Sequence, residues 1–102
     1  MSSASVTIEE LREVVAPIAA KHNIVKVYLF GSRARGDNDE DSDFDFYITA
    51  PERFSAVTLG SFLYDLRDAL GSEVDVIREG NKNLSPFILE EISRDKKILF
   101  EA

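Results

Sequence analysis

A chain of 102 residues leaves room for one core, so a single domain over residues 1–102 is expected, and 44% hydrophobic with 30% charged residues is the composition of a soluble globular fold. The formal charge of −7 repels the phosphate backbone, so no DNA or RNA is expected to bind directly; divalent cations or a basic protein suit the field better. Without cysteine, and with His22 the one histidine, the chain has no disulfide, thiolate zinc site, cysteine nucleophile or histidine metal cluster.

No apolar run approaches the roughly 20 residues of a membrane helix, and the MSSASVTIEE start lacks the basic and apolar regions of a signal peptide. A cytoplasmic protein with no membrane contact is expected. After a short disordered start, Thr7 and Glu10 have the spacing of a capping box. Leu11, Val14, Val15, Ile18 and Ala19 follow at helical spacing, which predicts a first helix from Ile8 to Lys21. Pro17 inside it removes a backbone donor, so a kink or a frayed second half is expected. Lys26 to Phe30 reads as strand one, ended by Gly31. Gly31 to Gly36 reads as a turn passing into a short helical piece, and Asp37 to Ser42 as a solvated acidic loop.

Phe44 to Thr49 alternates as strand two, with Phe44, Phe46 and Ile48 on one face and Asp43, Asp45 and Tyr47 on the other. A second helix is predicted over Phe54 to Leu70, with Val57, Leu59, Phe62, Leu63, Leu66, Ala69 and Leu70 on a wide apolar face and Gly71 as its stop. Glu73 to Ile77 is strand three, its Asp75 facing away from Val74 and Val76. Ser85-Pro86 starts a short helix carrying Phe87, Ile88 and Ile92, and Lys97 to Phe100 closes as a last strand. The order gives an α/β (α+β) fold, a small mixed β-sheet with helices packed on one side.

The chemistry concentrates between Val27 and Ile48. Asp43 and Asp45, two residues apart, project from one strand face at a separation of about 7 Å, and Asp75 on another strand adds a third carboxylate. Oxygen ligands in small number suit magnesium, which takes the rest from water and phosphates; two such ions would activate a hydroxyl and stabilise a leaving pyrophosphate. For a lone pair of aspartates a solvated strand face is the better reading, yet three on two strands need a reason, because aspartate is disfavoured in strands. Gly31-Ser32, following an apolar strand and opening a helical piece, offers backbone N–H groups and a hydroxyl to an anion. Arg33 or Arg35 would add charge-assisted phosphate contacts. A plain helix cap with two solvated arginines is the alternative for that turn. Tyr28, Tyr47 and Tyr64 are expected to pack rather than to stack on a nucleotide, and Tyr47 shares the face of the aspartates.

Gly31-Ser32, ten residues, then Asp43-x-Asp45 resembles the pattern of the DNA polymerase β-like nucleotidyltransferase superfamily. The longer string GSRARG…SDFDF, the EVDVI strand and the short chain resemble its minimal nucleotidyltransferase group, the MNT or MntA-like proteins. Phe44 and Phe46 depart from the smaller aliphatics common there. The resemblance implies a nucleotidyltransferase palm-like core and transfer of a nucleoside monophosphate, AMP from ATP or another NTP, to a hydroxyl with two Mg²⁺ ions. It implies Asp43, Asp45 and Asp75 as catalytic metal ligands, Asp75 also helping to deprotonate the acceptor. Gly31 and Ser32 would hold the triphosphate, with Arg33 or Arg35. The implied partner is a HEPN-domain toxin, neutralised as an antitoxin does, by adenylylation or, alternatively, by stoichiometric binding with little catalysis.

Overall fold

The computed structural model describes residues 6–102; the disordered start expected at residues 1–5 lies outside the described residues. In chain order the elements are α1 (Ile8–Lys21), β1 (Lys26–Phe30), α2 (Ser32–Arg35), β2 (Phe44–Thr49), α3 (Ala56–Leu70), β3 (Val74–Arg78), α4 (Pro86–Asp95) and β4 (Lys97–Glu101). They build one four-stranded mixed sheet in the order β3-β2-β1-β4. β1 runs antiparallel to β2 and β4, while β2 and β3 are parallel and α3 makes the crossover that parallel neighbours require.

Local chemistry accounts for the ends of these elements. The Thr7 hydroxyl accepts from the Glu10 N–H and the Glu10 carboxylate accepts from the Thr7 N–H, so the capping box forms as expected. Ser55 and Ser85 cap α3 and α4 in the same way, accepting from the N–H of Thr58 and Ile88, and Pro86 fills the first helical position of α4, where no N–H is needed. Pro17 does not fray α1. The helix continues to Lys21 because Ala19 and Leu11 are buried on the sheet, and the His22 N–H still reaches the Ile18 carbonyl.

One sheet face is the core. Phe44, Phe46 and Ile48 of β2, Val27 and Leu29 of β1 and Val74 of β3 meet Leu11, Val15 and Ala19 of α1 and Phe62, Leu66 and Leu70 of α3. Each large side chain removed from water there contributes about 1.5–3 kcal/mol. The apolar face of α3 is narrower than the sequence suggests: Val57 is 80% exposed, and Tyr64 stands 70% exposed instead of packing. The opposite sheet face carries Asp45, Tyr47 and Asp75, with Tyr28 across from Tyr47 in register. Near that face α4 contacts β1, and the Lys96 ammonium following it lies 5.1 Å from the centre of the Tyr28 ring. Among the described residues, no helix is long and apolar enough to cross a membrane.

Candidate active site

Asp45 and Asp75 are direct neighbours in the parallel β2/β3 register, which sets their backbones about 4.8 Å apart with both side chains on the same face. Asp43 lies one residue before β2 begins, exposed, so it reaches the acid pair from the loop rather than from within the strand. Asp45 is half-buried, and its carboxyl is pushed up from 3.8 to about 6. Burial is the main cause, followed by the negative charges of Asp75, Asp43 and Glu91, while Arg35 opposes the shift. Carboxylates crowded to this degree attract a cation or a proton.

Among the described residues, no three His, Cys, Asp or Glu side chains are grouped so that they could hold a metal ion as they stand. The chemistry of the set nevertheless fits a hard divalent ion: all donors are oxygens, one is desolvated, and magnesium draws much of its shell from water and phosphate. Asp43, Asp45 and Asp75 are the residues that would hold it.

The Gly31 turn and the acids lie against each other. Phe30 pairs with Asp45, so Gly31, the next residue of the chain, lies against the Asp45 carboxylate. Gly31 has φ +77°, and a Cβ built on it would come within 2.5 Å of the Asp45 Oδ2. The glycine is thus demanded by Asp45 as well as by any phosphate, a requirement that sequence spacing cannot display. Its carbonyl accepts from the N–H of Ala34 and Arg35, which starts α2 at Ser32. A four-residue helix adds little dipole, so the anion-holding capacity of this turn rests on Gly31 and Ser32 themselves.

Both arginines of the turn have partners within the chain. Arg33 is buried and donates from Nε and Nη2 to the Ser42 carbonyl. Burial pulls its pKa below the ordinary arginine value, against the raising influence of Asp39 and Asp43. Arg35 pairs with Asp95 at 2.7 Å, Asp37 at 3.1 Å and Glu91 at 3.2 Å, tying α2 to α4. These hydrogen bonds hold its pKa well above the ordinary value. Glu91 and Asp95 escaped sequence reasoning because nothing local in α4 marks them; only the packing of α4 beside α2 does.

Asp95, whose side chain is 5% exposed, is held down at about 2 by hydrogen bonds from Arg94 first and Arg35 second. Since its folded pKa is depressed, its contribution to stability is full above the unfolded value near 3.8 and is lost as pH falls towards 2. Asp95→Asn is therefore expected to lower the melting temperature by several degrees at pH 7 and by much less at pH 2, read by circular dichroism.

A groove of about 530 Å³ lies elsewhere, lined by Lys21, His22, Val57, Gly60, Tyr64 and Asp65 among others. There His22 Nε2 lies 2.8 Å from Asp65 and joins the end of α1 to α3, with no cluster of acids to support group transfer. The acids lie on the other face of the sheet.

The chain has relatives among known proteins. The family model "Polymerase beta, Nucleotidyltransferase" matches residues 13–102. A curated relative from Methanocaldococcus jannaschii, the candidate protein adenylyltransferase MJ0435, is 37% identical over 70 residues, 69% of this chain and 75% of that protein. A solved candidate minimal nucleotidyltransferase superposes with a TM-score of 0.73 at 32% identity, covering 91% of this chain and 96% of that one. A chain from the Shewanella oneidensis complex of a tri-AMPylated HEPN toxin with an MNT antitoxin shares the fold, with a TM-score of 0.67 at 17% identity over 94% of this chain and 74% of that one. The matched span contains the Gly31-Ser32 turn and all three aspartates, and the chain belongs to the polymerase beta nucleotidyltransferase family as an enzyme of nucleotidyl transfer.

Proposed function

We propose that the chain transfers AMP from ATP to a hydroxyl of a protein partner of the HEPN-toxin type and so acts as an antitoxin. The observation that carries this reading is the register of Asp45 against Asp75 with the Gly31 backbone packed on the Asp45 carboxylate. The Gly31 turn lies within one side-chain length of the acid pair, which supports reading the two as a single site for a nucleotide and its metal. The naming of the Methanocaldococcus relative as a candidate protein adenylyltransferase supports the acceptor class, and the AMPylated toxin of the Shewanella complex supports the partner class.

In this reading the Gly31 and Ser32 backbone and the Ser32 hydroxyl bind the triphosphate. Asp43, Asp45 and Asp75 hold two Mg²⁺ ions, which when bound neutralise charge developing on the phosphates. Asp75, on the outer strand of the acid pair, accepts the proton of the acceptor hydroxyl. The acceptor oxygen then bonds to the α-phosphorus as the bond to the bridging oxygen of pyrophosphate breaks. Tyr28 and Tyr47, with ring centres 6.3 Å apart, continue the floor of the face beside the acids.

Incubating the chain with Mg-ATP and a HEPN-domain partner co-purified with it from the source cell is expected to release pyrophosphate and add the mass of one nucleotide or more to the partner, with both signals lost in Asp43→Asn. An unmodified partner mass would overturn the reading. The net charge of −7 also favours a second reading, stoichiometric capping of a basic RNA-cutting partner. Under it, the Asp43→Asn, Asp45→Asn double variant still inhibits the partner in full.

A further inference from the structure

Arg33 is only 8% exposed, although it belongs to a four-residue helix at the edge of an open site. Its Nε and Nη2 donate to one acceptor, the Ser42 carbonyl, at 3.0 and 2.6 Å. The same guanidinium lies 4.0 Å from the centroid of the Phe44 ring. Ser42 and Phe44 flank Asp43, so one side chain grips the chain on both sides of a proposed metal ligand. The grip matters because Asp43 stands outside the sheet: recorded strand pairing begins at Phe44, whose N–H bonds to the Glu73 carbonyl. Upstream, the loop is shaped by Asp39, which accepts from the Asp41 N–H and the Ser42 hydroxyl. Between that turn and the first strand residue, Arg33 holds the Ser42 carbonyl and the Phe44 ring, and so the backbone on both sides of Asp43.

On the reading that Asp43 ligates a divalent ion, we propose that Arg33 is a positioning residue, which sets the Asp43 carboxylate by holding the Ser42 carbonyl and the Phe44 ring, and is not a ligand of the nucleotide phosphates. A planar fork is required for this. Lysine keeps the charge but cannot both donate through two nitrogens to one carbonyl and lie flat on a ring.

The test uses the full chain and Mn²⁺ as the probe, with free Mn²⁺ measured by electron paramagnetic resonance, and ATP binding measured separately in EDTA. Arg33→Lys and Arg33→Gln are each expected to weaken Mn²⁺ binding about tenfold and to leave metal-free ATP binding unchanged. In an Asp43→Asn background, Arg33→Lys is expected to add no further loss, because its effect runs through the missing carboxylate. Asp65→Asn, which removes the negative charge set against Lys21 and His22 on the far side of the sheet, serves as the destabilised control with wild-type Mn²⁺ binding. Circular dichroism establishes which variants are folded, and the lysine variant suffices if the glutamine variant is not.

Folded Arg33→Lys with wild-type Mn²⁺ affinity overturns the proposal. So does weakened ATP binding in EDTA with Mn²⁺ binding intact, which would make Arg33 a phosphate ligand. Wild-type Mn²⁺ binding in Asp43→Asn alone is a separate result: it overturns the metal-ligand reading from which the proposal starts.

Discussion

Asp45→Asn is expected to reduce nucleotidyl transfer about a thousandfold or more and, in the same protein, to raise the melting temperature of the metal-free chain at neutral pH. Both effects come from one crowded carboxylate. In the folded chain Asp45 titrates at about 6, well above its unfolded 3.8, because burial and the charges of Asp75, Asp43 and Glu91 oppose its ionisation. A raised acid stabilises the fold in its protonated form. That contribution is complete below about pH 4 and is lost as pH rises through 6, so at pH 7.5 the ionised carboxylate is a burden on the metal-free fold. Because the group is about half exposed, solvent screening reduces the burden to about 1 kcal/mol, equivalent to roughly 4–8 °C for a domain of this size. Melts of wild type and Asp45→Asn should therefore differ at pH 7.5 and converge near pH 4. Identical melts at both values would remove the crowding argument. The same titration links metal to protons: binding of a divalent ion to the wild-type chain should release a proton near pH 6 and weaken below it.

Gly31→Ala should lose activity and stability together, whereas Gly36→Ala should lose only stability. Both glycines have positive φ, +77° and +84°, and a side chain in such a conformation costs about 1–3 kcal/mol. They differ in what surrounds them. A Cβ at Gly36 meets nothing within 4 Å, while one at Gly31 meets the Asp45 Oδ2 at 2.5 Å. The Asp45 carboxylate must then move by the better part of an ångström, and a displacement on that scale in a reacting site is worth about a hundredfold in rate. Gly36→Ala is expected to keep near wild-type transfer with a lower melting temperature. Pyrophosphate release from the two variants, normalised to folded protein, checks the contrast; equal losses would mean that backbone strain alone, not the carboxylate contact, is responsible.

Much of this arrangement is legible in the sequence because it depends on short-range rules. Alternation along Phe44 to Thr49 assigns Asp45 to the polar face, and Thr7 and Ser85 mark the starts of α1 and α4, while the Ser55 cap of α3 lies one residue inside the helix expected from Phe54. What local rules miss depends on packing. Pro17 is tolerated because Ala19 beyond it is buried, a compensation that no window of helix propensity contains. Val57 fits the apolar pattern of α3 and Tyr64 is expected to pack, yet both stand exposed while Phe62, Leu66 and Leu70 face the core. Arg33 and Arg35 look alike two residues apart, but one turns inward beneath Asp43 while the other meets three acids, two of them on a helix more than fifty residues later. Side-chain partners across that distance are decided by topology and leave no mark at the arginines.

The parallel pairing of β2 with β3 has a consequence for the newly made chain. The hairpin of β1 and β2 brings the glycine turn, Asp43 and Asp45 together from adjacent sequence, a step that needs only local loop closure. Asp75 joins them from thirty residues beyond Asp45, once α3 has crossed over and β3 has docked in register. An emerging polypeptide thus brings the glycine turn and two of the acids together before Asp75 can join them. On the proposed function, docking of β3 completes the acid set, so the loss of β3 amide protection in hydrogen exchange should coincide with the loss of Mn²⁺ binding. A chain cut short before Glu73 would lack Asp75 and is expected to leave its target unmodified.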